Sequence, residues 1–179
     1  MKNKIEVKGK EYLVPTSWEE VSVRTFESVL ELALNEDAYQ TKLEYGIRVT
    51  SVLTNIPYED LLKLSNGKFK ELQDMLSWSN IDVNYNGKKE YIIKGVKYLA
   101  ISNYNSLTVG EAIDAELIIK DSPNHKLLSN LLPLLIRRVV SQGRKVVPDE
   151  FDGKNYNSNV ELLQDNLSIT DVIHLKDFF

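Results

Sequence analysis

The sequence predicts an α+β fold: a mostly helical single domain with a three-stranded antiparallel meander at about residues 81–101 and an N-terminal hairpin. Three observations carry this. Apolar residues recur at helical spacing over most of the chain, as in Val23, Phe26, Leu30 and Leu34. The period drops to two at Ile81-Asp82-Val83-Asn84-Tyr85, followed by Asn86-Gly87, the pair best suited to the positive φ angles of a type I′ turn. Thr108-Val109-Gly110-Glu111 then matches a capping box, which marks the start of a helix.

Taken in order, Ile5 and Val7 alternate with polar neighbours, Gly9-Lys10 is read as a turn, and Tyr12-Leu13-Val14 returns. Pro15 stops that ladder because it has no N–H to donate, and Trp18 is expected as a lid over the core. A helix over about 23–34 is capped by Ser22 and broken by Asn35-Glu36-Asp37. A second covers about 38–53, with Leu43, Ile47 and Val52 near one face and Gly46 inside it. Asn55-Ile56-Pro57 opens a short third helix, with Glu59 and Asp60 in the first turn where the helix dipole favours acids. Ser65-Asn66-Gly67 is read as a break before a fourth helix at about 69–78.

The meander is expected as Ile81–Tyr85, Tyr91–Ile93 and Val96–Ile101, with a turn at Lys94-Gly95 and cross-strand stacking among Tyr85, Tyr91 and Tyr98. The helix after the capping box should reach Lys120 with Ile113 and Leu117 facing inward. A long apolar helix then covers about 125–140, which Pro133 should kink or split near Leu131. Beyond Gly143 the chain loosens, and 149–159 reads as a loop. Short helices follow at Leu162-Leu163 and from Ser168. The expected organisation is one domain over 1–179, divided into 1–80, 81–101, 108–140 and 141–179.

Composition narrows the chemistry. The chain has 179 residues, no cysteine, two histidines and a net charge of -4. Zero cysteine excludes disulfides and thiolate chemistry. The acidic balance argues against nucleic acid and anionic membranes, both of which want a positive field. The longest apolar run, Leu131 to Ile136, is far below the roughly 20 residues that span a bilayer, and the first residues carry no apolar signal region.

The best acidic cluster is Glu111, Asp114 and Glu116, where capping already claims one carboxylate. His125 and His174 fit no ligand spacing and read as cap or surface groups. Arg137, Arg138, Arg144 and Lys145 form one basic patch, explained most simply as charges near a helix C-terminus, with a phosphate contact as the alternative. No Gly-x-Ser-x-Gly turn exposes a serine. No catalytic, metal or cofactor site is expected. The expected interaction residues are Leu127, Leu128, Leu131 and Leu135 on the apolar helix and Phe178-Phe179 at the end of the sequence, which either docks on the chain's own core or inserts into a neighbour. The free edges of the meander join them as a contact surface.

The pattern also resembles a family. The stretch VPTSWEEVSVRTFESVLELA resembles a Pro-x-Ser-Trp start leading into a first helix. VLTNIPYEDLLKLS resembles the Pro-started helix that follows, and GVKYLAISNYNSLTVGEAIDAELII a tyrosine strand, a Leu-Thr-x-Gly-Glu box and a helix. This order, over most of residues 12 to 138, is similar to small tail-assembly chaperones or minor virion (tail or neck) proteins of tailed bacteriophages, crAss-like and other Bacteroidetes phages among them. The resemblance implies a non-enzymatic protein that binds other phage proteins in tail or virion assembly, with a homo-oligomer allowed. It implies action in the host cytoplasm during assembly, with retention in the virion left open. Two alternatives from other classes stand beside it: an adaptor for one regulatory host or phage protein, and a metal-dependent hydrolase or nuclease using Glu111, Asp114 and Glu116.

Overall fold

The computed structural model describes residues 3–85, 88–101, 103–142, 145–151 and 153–178. The fold is α+β and mostly helical, with two small antiparallel sheets. Its residues gather into two compact units, one of residues up to 21 and 25–83, the other of 22–24 and those from 84 on.

In the first unit, β1 (Asn3–Val7) and β2 (Lys10–Val14) form the expected hairpin. Its turn is Lys8-Gly9, one residue earlier than expected, because both turn residues take positive φ (52° and 74°) as a type I′ turn requires. Ile5, Val7, Tyr12 and Val14 turn to the core while their neighbours stay exposed, the period of two that a one-sided sheet imposes. Four helices follow: α1 (Val23–Leu34), which belongs to this unit from Thr25 on, α2 (Lys42–Thr54), α3 (Tyr58–Leu61) and α4 (Asn66–Met75).

Two boundaries in this unit differ from expectation for a capping reason. Thr41 caps α2 by accepting from the Glu44 N–H, so that helix starts after a separate 3-10 turn at Glu36–Ala38. Ser65 accepts from the Lys68 N–H, so Ser65-Asn66-Gly67 begins a helix rather than breaking one. Trp18 does cover apolar residues. It meets Phe26 and Trp78 edge-to-face at 5.5 and 5.1 Å, and its Nε1 donates to the Ile81 carbonyl.

The second unit holds the four-stranded sheet β3-β4-β5-β6, every pair antiparallel. β3 (Glu90–Ile93) and β4 (Val96–Ala100) form the expected hairpin around Lys94-Gly95, both at positive φ. Ile81–Tyr85 is not a strand, and Asn86-Gly87 lies outside the described residues. The remaining strands are β5 (Ile136–Gln142) and β6 (Lys145–Pro148), which the sequence reading placed in a helix and a loose segment.

Between β4 and β5 come α5 (Val109–Asp121) and α6 (Leu127–Leu135). Pro133 has no N–H to continue the helical ladder, and α6 ends two residues later, where Ile136 turns extended (φ -122°, ψ 108°) and pairs with Ala100. The expected helix to Val140 is therefore a nine-residue helix followed by a strand. After β6, α7 (Tyr156–Asn166) starts inside the segment read as a loop. Ser168 caps α8 (Ile169–Val172), and a 3-10 turn covers Ile173–Phe178. Leu128, Leu131, Leu132, Leu134, Leu135, Leu163, Ile169 and Leu175 are the buried heart of this unit.

Candidate functional site

The capping box at the start of α5 is present in full. Thr108 Oγ1 accepts from the Glu111 N–H at 3.2 Å, and Glu111 Oε2 accepts from the Thr108 N–H at 2.8 Å. The other carboxylate oxygen, Oε1, accepts from Arg137 Nη1 at 2.6 Å. Both side chains are about nine-tenths buried. Burial by itself pushes the Glu111 carboxyl up; the Thr108 N–H and the Arg137 guanidinium together outweigh it and hold the group below its ordinary value. Arg137 also donates from Nε to the Leu134 carbonyl, so one guanidinium ties the start of α5 to the junction of α6 and β5.

This pinning decides which way α5 faces. Glu111 and Ala115 are buried, with Ala112, Ile118 and Ile119 half-buried beside them. The opposite face carries Val109, Ile113 and Leu117, spaced four apart and 80%, 54% and 51% exposed. Ile113 and Leu117 were expected to face inward; they point outward because the ion pair and the small Ala115 fix the inner side. A helix apolar on both sides either lies inside a core or meets a partner, and here one side is open. Asp114 and Asp121 border the open stripe on one side and Glu116 on the other, with Lys120 past its C-terminal end, all four exposed.

A second feature is a cleft of about 440 Å³ in the same unit, lined among others by Tyr98, Arg137, Arg138, Phe151, Tyr156 and Asn159. Tyr156 donates to the Asn130 carbonyl, and burial pushes its hydroxyl up. The Nη2 of Arg137 is buried and has no hydrogen-bond partner among the described residues. Asp149 and Glu150 also line this cleft, so its charge is mixed.

A third cluster joins the segment before β3 to α8. Lys88 Nζ lies 2.7 Å from Asp171 Oδ1, a charge pair rather than an aligned hydrogen bond. The Tyr91 hydroxyl is shared between the Lys88 and Asp171 carbonyls, both at 3.0 Å; burial, then Asp171, drives its pKa far up. Tyr91 stands opposite Tyr98 in the strand register. Tyr85 instead stacks on His174 at 3.7 Å. These bonds tie the segment before β3 to α8.

The sequence-predicted residues fall as follows. Leu128, Leu131 and Leu135 are buried in the core of the second unit and Leu127 is half-buried, so the apolar helix offers no open face. The backbone of Phe178 ends the terminal 3-10 turn, while its side chain and Phe179 lie outside the described residues. Buried Leu175 docks that turn on the unit's own core. Glu111, Asp114 and Glu116 do not converge, since Glu111 points inward to Arg137 and the other two are exposed. Among the described residues no group of three or more His, Cys, Asp or Glu could hold a metal ion. The basic patch is also divided: Arg137 is buried, Arg138 is exposed, and Arg144 and the Lys145 side chain lie outside the described residues. Of the meander's expected free edges, β3 is an edge of the four-stranded sheet and presents Ile92, 78% exposed. No helix among the described residues is long and apolar enough to cross a membrane.

No protein-family model, curated protein or solved structure matches this chain.

Proposed function

We propose that this protein is a non-enzymatic binding protein acting through protein–protein contacts in bacteriophage tail or virion assembly, and that the outer face of α5 is its contact surface. The observation that carries the contact role is the stripe Val109, Ile113 and Leu117, open on a helix whose inner side is locked by Glu111 and Arg137. Contiguous apolar surface on a fixed element is what a partner can bury at little ordering cost. The phage setting rests on the sequence resemblance over residues 12 to 138, and the partners it suggests are tail or neck proteins. The edge strand β3, with Ile92 outward, is a secondary contact of the strand-addition kind. Of the residues named for the hydrolase alternative, Glu111 is engaged by Arg137 and Thr108 while Asp114 and Glu116 stand apart from it on the exposed side, which favours the contact reading.

The test is co-expression with tail and neck proteins of a phage carrying this chain, followed by light scattering of the purified product. The expected result is a discrete complex that is lost in the Ile113→Asp, Leu117→Asp variant. A complex of unchanged mass in that variant would overturn the assignment of the surface. A pull-down that returns no tail or capsid protein would favour the adaptor reading.

A further inference from the structure

The charges that border the α5 stripe select its occupant. Asp114 and Asp121 line one side and Glu116 the other, against one exposed cation on α5 itself, Lys120, at the C-terminal end. We infer that the face takes a cationic amphipathic helix of another protein, with Lys or Arg flanking its apolar stripe; this rests on reading the outer face of α5 as the contact surface.

The occupant should be a helix because the stripe runs about 12 Å over two turns of α5 and stands as a ridge. Ridges seat in the grooves of a second helix, whereas an extended segment needs the unpaired N–H and C=O groups of a sheet edge. A second copy of this chain fits poorly. In a parallel pair the flank carrying Asp114 and Asp121 lies beside the second copy's Glu116 flank, acid against acid. In an antiparallel pair centred on Ile113, Lys120 lies opposite the residues before Val109, where the sequence Asn105-Ser106-Leu107-Thr108 holds no acid. An anionic lipid surface repels the same acids. Basic flanks gain from all three carboxylates, and complementary charge speeds encounter and fixes orientation.

The experiment measures fluorescence anisotropy of labelled leucine–lysine and leucine–glutamate amphipathic peptides of about 18 residues, long enough to form helix. The protein partners are the full chain, Leu117→Asp, and the double variant Asp114→Lys, Glu116→Lys. All three substitutions sit at exposed positions, so the variants should fold as the parent does. The wild type should bind the lysine peptide at least about tenfold tighter than the glutamate peptide, Leu117→Asp should weaken that binding by about tenfold, and the double variant should reverse the preference. Equal binding of both peptides, weakened by Leu117→Asp, would overturn the cationic partner and leave the contact surface standing. Lysine-peptide binding indifferent to Leu117→Asp would mean attraction to the chain's net charge alone and would overturn both. Binding of neither peptide would also overturn the inference.

Discussion

At the scale of single residues, the Glu111–Arg137 pair is the most consequential contact. Removing one partner of a buried pair strands the other charge, at a cost of about 3–5 kcal/mol. Arg137→Leu should therefore destabilise the chain on that order in urea denaturation, while Glu111→Leu combined with Arg137→Leu should recover a large part of the loss. The pair also sets a pH dependence. Glu111 is held below its ordinary value of 4.5 in the folded state, so its contribution is fully present above that value and is lost as pH falls through the lower folded pKa. Glu111→Gln should flatten the acid limb of a midpoint-against-pH profile below about 4.5. A limb of unchanged steepness would show that the carboxylate charge contributes little. By contrast, Ile113→Asp and Leu117→Asp should each stay within about 0.5 kcal/mol of the parent, as exposed positions do; a large loss would mean that this face is covered.

At the scale of elements, the legible features were those that chemistry between near neighbours decides. The capping box at Thr108 and Glu111 is local, as are the Lys94-Gly95 turn and the Ser168 cap. Thr108→Ala should cost about 1 kcal/mol, since it removes one cap bond and loosens the reciprocal one. Lys94→Asn should stabilise by up to about 1 kcal/mol, because asparagine tolerates a left-handed conformation better than lysine; thermal midpoints of the two variants check both. Features that depend on a distant partner were not legible. Ile81–Tyr85 has the alternation of a strand but joins no strand ladder among the described residues, while Arg137-Arg138-Val139-Val140 looks helical after α6 and becomes a strand because Tyr98, Leu99 and Ala100 are there to receive it. The outer face of α5 was hidden for a related reason. Val109, Ile113 and Leu117 on one side and Ala112, Ala115, Ile118 and Ile119 on the other give the sequence no apolar side to choose, and only the inward ion pair and the small Ala115 break the tie.

At the scale of the whole molecule, the leucines of α6, expected as contacts, lie apart from the open apolar stripe. Leu128, Leu131 and Leu135 build a core, and α5 carries the open surface. The strongest apolar run of a chain is the segment with most to gain from burial, so it makes a poor guide to where a partner binds. The proposed contact role and the partner's chemistry both rest on α5 being open, and that claim can be measured without any partner. Since the chain has no cysteine, Ile113→Cys and Ala115→Cys each place a single thiol on opposite sides of one helix. The measurement is their alkylation rate in the native protein, each normalised to its rate in denaturant. With the outer face of α5 open, position 113 should react at close to its unfolded rate while position 115 is strongly protected. Equal protection at both positions would contradict it, because the outer face of α5 would then be covered within the protein itself.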